Sequence, residues 1–576
     1  MILKALYDYY NRCGNLPMSG MEEKEIGFLV VISKTGKFLR FEDCRIDKNH
    51  ARTYLVKKHV GRSSAAVANY LYDNSAYVLG VSDKSNGKEQ LYLETFKQSV
   101  NSILVAFPEN EDLQALSAFY RQSRAEIAEA IAFDPLWEDI KKNLSKKYST
   151  FSFRVEGETK IMAEKKEILQ LGNGDGDERQ KSICLVTGKK GVPVETTTAT
   201  MIPGSQATAK LVAFQVNSGY DSYGKKKCDN APISEDAEFA YTTALNAMLQ
   251  KGSRNKFAVG NRTFVFWASS QSEAAEQAED SLFDLLGYSE EKQDDPNAKI
   301  EQVRKVFTSI YSGTLKTSLD DSFYILGLAP NSARIAVVYW SESSLKDFAS
   351  RILQHFHDMD VIDTRKEKKP HMGIKDMLSA VTLGGKQSEA TPNLPEAIVQ
   401  SIFQGTPYPY TLFSACIRRI RAESGDKEKT PIRVGRIAIL KAYLNRINDN
   451  NKKIDTMLDK TNTNPGYLCG RLFAVLDRTQ EDANGISSIR ERYMNAASAT
   501  PSSVFATILN LSAHHLEKLS NEGRKVFYEK LKQEIIDKIP ADGFPAHLDL
   551  QDQGRFFIGY YHQRQDFFIK KEENKD

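Results

Sequence analysis

An α+β fold is what this sequence predicts, with a mixed α/β N-terminal region followed by an all-α C-terminal helical bundle. Three observations predict it. Short apolar runs such as IGFLVVIS (26–33), FSFRV (151–155) and TFVFWA (263–268) read as strands. Stretches between them carry apolar residues at i, i+3 and i+4, the spacing of a buried helix face. From about residue 396 onward the pattern is almost wholly helical.

Taken in order, IGFLVVIS and KFLRFEDCRI (37–46) read as two strands joined by a turn at Lys34, Thr35 and Gly36. LYLETFKQSVNSILVAF (91–107) and DLQALSAFYRQSRAEIAEAIA (112–132) have helical spacing. Strands return with FSFRV, KSICLV (181–186) and KLVAFQV (210–216). Residues 271–311 read as helical and acidic, broken at Asp294, Asp295, Pro296 and Asn297. FYILGLAP and RIAVVYW are paired strand candidates joined at Pro330, Asn331 and Ser332. The helical rear contains PEAIVQSIF, TLFSACIRRIRAES and RVGRIAILKAYLNRIN. In the tail, helices are expected at 465–482, 485–496, 502–520, 522–538 and 551–566. Asn464 and Pro465 supply a helix start, because Pro is well tolerated in the first turn. These readings suggest four segments: 1–150, 151–345, 346–456 and 457–576.

The 576 residues suffice for three or four domains, and at 41% hydrophobic they can bury sizeable cores. Mean hydropathy is −0.45. No apolar run approaches the roughly 20 residues that span a bilayer, and no signal peptide is visible, so a cytoplasmic, membrane-free protein is expected. The net charge of +3 is mildly basic, which permits nucleic-acid binding through local patches without demanding it. None of the six cysteines forms a CxxC pair, so structural zinc is not expected.

Catalytic constellations are thin. Gly384-Gly385-Lys386-Gln387 lacks the leading Gly and the Ser or Thr of a Walker A loop, and there is no GxSxG elbow. NGDGDE (173–178) is too short for a calcium loop. His514 and His515 are adjacent on a helix and point about 100° apart, a poor metal pair. His355, His357, Asp358 and Asp360 look most like part of a metal phosphohydrolase site, though no further ligands are organised around them. No enzyme, metal or cofactor is expected; a stand-alone metal-dependent nucleic-acid-processing enzyme is the alternative.

FQVNSGYDSYGKKKCDN (214–230) is the most informative stretch. It places Gly219 and Gly224, Tyr220 and Tyr223, and Lys225, Lys226 and Lys227 in one loop before a helix with Ser234 at its start. Glycines let backbone approach a ligand, tyrosines stack on bases and lysines neutralise phosphates. The same residues also suit an ordinary solvated turn.

The string from Ser218 to Asn246, SGYDSYGKKKCDNAPISEDAEFAYTTALN, resembles the central signature of the type I-C CRISPR large subunit, the DNA-handling subunit of the Cascade surveillance complex. The likeness extends along most of the chain. MILKALYDYYNR, VGRSSAAVANYLYDNSAYVLG (60–80), CLVTG (184–188), TFVFWA and FYILGLAPNSARIAVVYW (323–340) are similar to blocks of that family in this order. GRLFAVLDRTQEDAN (470–484) and DQGRFFIGYYHQR (552–564) are similar to its helical tail.

The resemblance implies a protein that recognises the PAM, a short motif flanking the target, in duplex DNA. It then helps open the target, stabilises the R-loop and helps recruit a separate helicase-nuclease. Implied partners are crRNA, double-stranded target DNA, the backbone subunit, the crRNA 5′-handle subunit and the small subunit. Candidate duplex or PAM contacts are Lys57, Lys58, Arg62, Ser63, Ser64, Asn69 and Asn74, with Asn217, Gly219, Tyr220, Tyr223, Lys225, Lys226 and Lys227 in the loop. Asn reads base edges, and Ser or Lys holds phosphates; Asn69 and Asn74 equally suit turn caps around a buried YVLG strand. Arg418, Arg419, Arg421, Arg524, Lys525, Arg555 and Arg564 are candidate contacts to the displaced strand, with a solvated face as the other reading of the first three. The 120 residues from Met457 resemble the small subunit, which the family also makes by internal translation, so Met457 is a candidate internal start.

Overall fold

A computed structural model describes the chain except residues 15, 18–19, 61–65, 84–86, 147, 170, 172–180, 215–220, 222, 287–295, 319, 367, 369–370, 387–388, 427–431, 448–452, 487 and 570–576. The fold is α+β, with small sheets toward the N-terminal side and helices alone after the strand Arg334–Ser344 among the described residues. The chain forms two compact units. One unit comprises Cys13–Thr196 and Gln215–Thr243; the other comprises Met1–Arg12, Thr197–Phe214 and Ala244–Asp576.

The first unit is built on a four-stranded sheet in the order Phe38–Asp43, Phe28–Ile32, Thr150–Val155, Tyr72–Asn74. Phe28–Ile32 is wholly apolar and wholly buried, as expected for a central strand covered on both faces. It pairs antiparallel with Phe38–Asp43 (Val30 opposite Phe41) and parallel with Thr150–Val155 (Val30 beside Phe153). The predicted turn forms: the Ser33 N–H donates to the Lys37 carbonyl at 2.8 Å, with Gly36 at φ +81°. The parallel pairing requires a long crossover, and the helices Glu89–Ala106, Glu111–Phe119, Arg124–Ala132 and Trp137–Lys142 fill it. Leu93, Phe96, Val100 and Ile103 form the buried stripe of the first of these. The run 112–132 is two helices rather than one, because Ser123 and Glu126 form a capping box that starts the second.

Two strand readings are corrected. KSICLV pairs only at Ser182–Ile183, against Lys190–Gly191. In KLVAFQV only Lys210 pairs, by a single parallel bridge to Arg334, and 211–214 form no strand. A β-prone run needs a ladder partner, and one bridge does not supply it. YVLG is corrected as well: Tyr72–Asn74 is the strand, and Ser75–Val78 is a helical turn.

In the second unit, an antiparallel sheet runs Arg334–Ser344, Ser322–Asn331, Arg262–Ala268, Lys256–Val259. Phe264, Phe266, Phe323 and Ile325 face the helices Glu273–Leu285, Leu345–Met359 and their neighbours in one continuous core. Trp267 lies among Tyr324, Trp340 and Tyr9, the last from the N-terminal helix Ile2–Arg12. Arg12 ties that helix down by donating to the Ala268 carbonyl at 2.7 Å and to the Ser270 carbonyl.

The rear is a helical bundle whose core is continuous with that of the sheet helices. Tail helices occur at Pro465–Asn484, Ser488–Ala499, Phe505–Glu517, Glu522–Ile536 and Leu550–Asp566, close to the expected ranges. Asn464 caps the first by accepting from the Tyr467 N–H at 3.0 Å, and Pro465 occupies its first turn. Helices Pro465–Asn484 and Leu550–Asp566 meet backbone to backbone. A Cβ at Gly470 would overlap the Phe556 carbonyl oxygen, one at Gly466 that of Asp552, and one at Gly559 that of Tyr467.

Candidate nucleic-acid interface

In the loop leading to helix Glu235–Leu249, Tyr223 (φ +52°), Gly224 (φ +73°) and Lys227 (φ +45°) are left-handed. Two of the three carry side chains, and such conformations cost of order 1–3 kcal/mol each unless their surroundings hold them. Asp221 and Asn230 brace the turn. Asn230 Nδ2 donates to the Lys225 carbonyl at 3.2 Å and the Lys227 carbonyl at 3.3 Å, and Asp221 Oδ1 accepts from the Lys227 N–H at 3.4 Å. Tyr223 is thereby presented fully to solvent, with Lys225 and Lys226 exposed beside it. Lys227 differs, since its ammonium pairs with Glu195 at 3.2 Å. Asn217, Gly219 and Tyr220 lie outside the described residues.

In the N-terminal block, Arg62, Ser63 and Ser64 lie outside the described residues. Lys57 is internal: it is 3% exposed, donates to the Leu171 carbonyl and lies 4.8 Å from the Tyr70 ring, and burial lowers its pKa. A side chain so held does not reach an external phosphate. Lys58 is half-buried with its ammonium 5.7 Å from the Phe239 ring, against the helix that follows the loop. Asn69 is buried and its Oδ1 accepts from the Val60 N–H at 2.9 Å. Asn74 is an N-cap, its Oδ1 accepting from the Ala76 N–H at 3.0 Å. Both side-chain oxygens thus serve the backbone, the role of turn caps.

Helix Tyr410–Glu423 presents its three arginines differently. Arg418 is exposed. Arg421 donates to Gln553 Oε1 at 3.3 Å. Arg419 donates to Glu423, whose other partner is the 2%-exposed Arg436 at 2.7 and 3.0 Å. Burial alone would raise the Glu423 carboxyl, but the hydrogen bonds from Arg436 and Arg419 outweigh it and hold it down to about 2. In the tail, every candidate cation has a carboxylate: Arg524 with Asp482 at 3.1 Å, Lys525 with Glu522 at 2.6 Å, Arg555 with Asp552 at 2.8 Å and Arg564 with Glu481 at 2.8 Å. Arg524 is the most exposed of the four at 57%, while its partner Asp482 is 8% exposed and also accepts from the Tyr528 hydroxyl at 2.6 Å. Met457 is exposed, eight residues before the first tail helix.

Within His355–Asp360, the buried His355 and Asp358 are committed inward. His355 accepts from the Tyr408 hydroxyl at Nδ1 (2.7 Å) and donates from Nε2 to the Met372 carbonyl (2.8 Å). Asp358 accepts from Arg446 Nε at 2.7 Å, while His357 faces solvent. Among the described residues no group of three or more His, Cys, Asp or Glu is placed to hold a metal ion.

Burial lowers the His355 pKa to about 4, and burial with the nearby Lys441 charge lowers that of His562 to about 3. Both lie below the unfolded value of 6.5, so the unfolded chain takes up protons that the folded chain refuses. Their stabilisation is complete above pH 6.5 and is expected to fall away as the pH drops toward 4, by about 3 kcal/mol for His355 alone. Melting measured from pH 7 to pH 4 checks this; an unchanged midpoint across that window contradicts it.

Sequence reasoning missed the partners that sort these cations: Glu195, Phe239, Asp482 and Glu423. Glu195, Phe239 and Asp482 are distant in sequence from the cations they meet, whereas Glu423 lies four residues from Arg419 on the same helix, an i,i+4 spacing that the sequence displays. No helix among the described residues is long and apolar enough to cross a membrane. No curated protein matches the chain. The family model described as CRISPR-associated protein (Cas_Csd1) matches residues 6–568. The motif order that resembles the type I-C large subunit and this match across nearly the whole chain agree, and the chain belongs to the Cas_Csd1 family of CRISPR-associated proteins.

Proposed function

We propose that this protein recognises the PAM in duplex DNA, helps open the target, stabilises the R-loop and helps recruit the helicase-nuclease. It acts in the cytoplasm as a non-catalytic large subunit of a type I-C crRNA-guided complex. Pairing by the guide reads the sequence, while the protein reads the flanking motif, the division of labour of RNA-guided effectors. What carries the reading is the braced loop with Tyr223 fully exposed just ahead of the exposed Lys225 and Lys226, in a chain of this family. The tail, and free copies started at Met457, hold the displaced strand through Arg524 and Lys525. Partners are crRNA, the backbone subunit, the 5′-handle subunit and the small subunit.

The test is a pull-down. The N-terminally tagged chain is expressed from its native gene with its neighbours and a CRISPR array, and every component is identified by intact mass. Recovery of crRNA, partner subunits and an untagged fragment beginning at Met457 is expected. A lone protein without RNA overturns the reading; a complex lacking the fragment removes only the internal start. In the assembled complex, Lys225→Ala/Lys226→Ala is expected to weaken duplex binding. It should also flatten the slope of log K against log salt by about 2, near 0.9 per lost phosphate contact. An unchanged slope removes the loop from the interface.

A further inference from the structure

Around one sunken carboxylate in the tail, the fold gathers two arginines and leaves two phenylalanine rings in water. Asp482, near the end of helix Pro465–Asn484, is 8% exposed. It accepts from Arg478 at 3.0 Å, from Arg524 at 3.1 Å and from the Tyr528 hydroxyl at 2.6 Å. The Tyr528 ring centroid lies 6.3 Å from that of Phe567, which in turn is 6.5 Å from that of Phe527. The Arg478 guanidinium stands 5.5 Å from the centroid of the Phe568 ring. Each side chain is thus one contact from the next, and together they form a single patch.

Local spacing builds it. Arg524, Phe527 and Tyr528 are i, i+3 and i+4 on helix Glu522–Ile536 and share one face. Phe567 and Phe568 follow directly on helix Leu550–Asp566. Tyr528 turns inward at 4% exposed, whereas Phe527 is 43% and Phe568 52% exposed. Apolar side chains exposed singly are ordinary, but grouped ones rimmed by charge mark binding surfaces. Among the described residues Arg524 meets Asp482 through Nη1 alone, and at 57% exposed it leaves the rest of its donor fork to solvent.

A partner for this patch must offer a flat apolar face with a negative charge beside it. An unpaired nucleotide carries both, as base and phosphate, and cations beside exposed aromatic rings are the means by which sequence-tolerant single-strand sites work. A base stacked inside a duplex offers no free face. We infer that the patch is a stacking platform for unpaired nucleotides, with Phe527 and Phe568 against bases and Arg524 on a phosphate. This rests on the proposed hold on the displaced strand and adds base stacking to the charge contacts of that reading. All of these residues lie after Met457, so a free copy of the tail carries the platform too.

The test compares binding of the full chain to a labelled oligothymidine and to an abasic strand of equal length and charge, across a salt series, with thermal melting as the check on folding. Phe527→Ala/Phe568→Ala is expected to bind oligothymidine at least about tenfold more weakly, with the abasic strand and the salt slope unchanged. Arg524→Ala is expected to flatten the salt slope by about 0.7 on both strands, one phosphate contact. Phe527→Leu/Phe568→Leu keeps the apolar area without the aromatic face and should lose binding as the alanine pair does. Full oligothymidine binding by either phenylalanine pair overturns the platform and leaves the strand held by charge alone. Loss of a partner subunit from the assembled complex, with strand binding intact, makes the patch a protein contact and overturns it as well. If the unaltered chain binds no single strand, alone or in the complex, the displaced-strand reading falls and the platform with it.

Discussion

Replacing Arg446 by Ala is expected to destabilise the unit containing the helical bundle by about 3–5 kcal/mol, the cost of breaking a buried ion pair from one side. Its side chain is 5% exposed and joins four segments. Nε donates to Asp358 Oδ2 at 2.7 Å, and Nη1 donates to the Ser401 and Thr406 carbonyls at 2.6 and 2.5 Å. The guanidinium lies 4.3 Å from the Tyr408 ring centroid, and the Tyr408 hydroxyl in turn meets His355. Removing it strands Asp358, which is 7% exposed. Asp358 and its neighbour His357 also end helix Leu345–Met359, where Lys441 donates to their carbonyls at 3.0 and 3.2 Å. Calorimetry of the full chain reads the loss, with the exposed Arg418→Ala as a near-neutral reference. A loss below about 1 kcal/mol would mean that the hub is redundant.

Gly470→Val is expected to cost about 3 kcal/mol, the upper end of ordinary overpacking, because the obstruction is backbone and not a side chain that rotates away. The added Cβ meets the Phe556 carbonyl and stands 2.9 Å from the Tyr560 nitrogen. The two helices must part, which also loosens Tyr560, whose hydroxyl donates to the buried Asp477 at 2.7 Å. Gly425→Ala has open space around its Cβ and serves as the control. Melting of the full chain and hydrogen exchange across 465–484 and 550–566 check the result. Unchanged protection in both helices would rule out the close crossing.

The tail was the most legible part of the fold. Its periodicity, with Asn464 and Pro465 at a helix start, predicts five helices that differ from the structure chiefly at their ends, where capping residues such as Ser123 elsewhere in the chain prove decisive. The family was legible too, since the order of many short motifs survives without knowledge of any contact. The candidate site was legible only in part. Tyr223, Lys225 and Lys226 read as a presented loop and are exposed, whereas Lys57 reads as basic surface and is internal.

Periodicity and motif order are local properties, and they carry the α+β class, the helical rear and the family. Tertiary structure alone decided which cations remain available. Lys57 is held by Leu171, the buried Arg436 takes the Glu423 that Arg419 meets on its own helix, and Arg564 is held by Glu481. It also decided that Gly466 and Gly470 matter, since the backbone they admit lies near Gly559 on another helix. A side chain's residue type sets what it can bond. Its partner, often a hundred residues away, sets whether that capacity faces a ligand or the protein's own core.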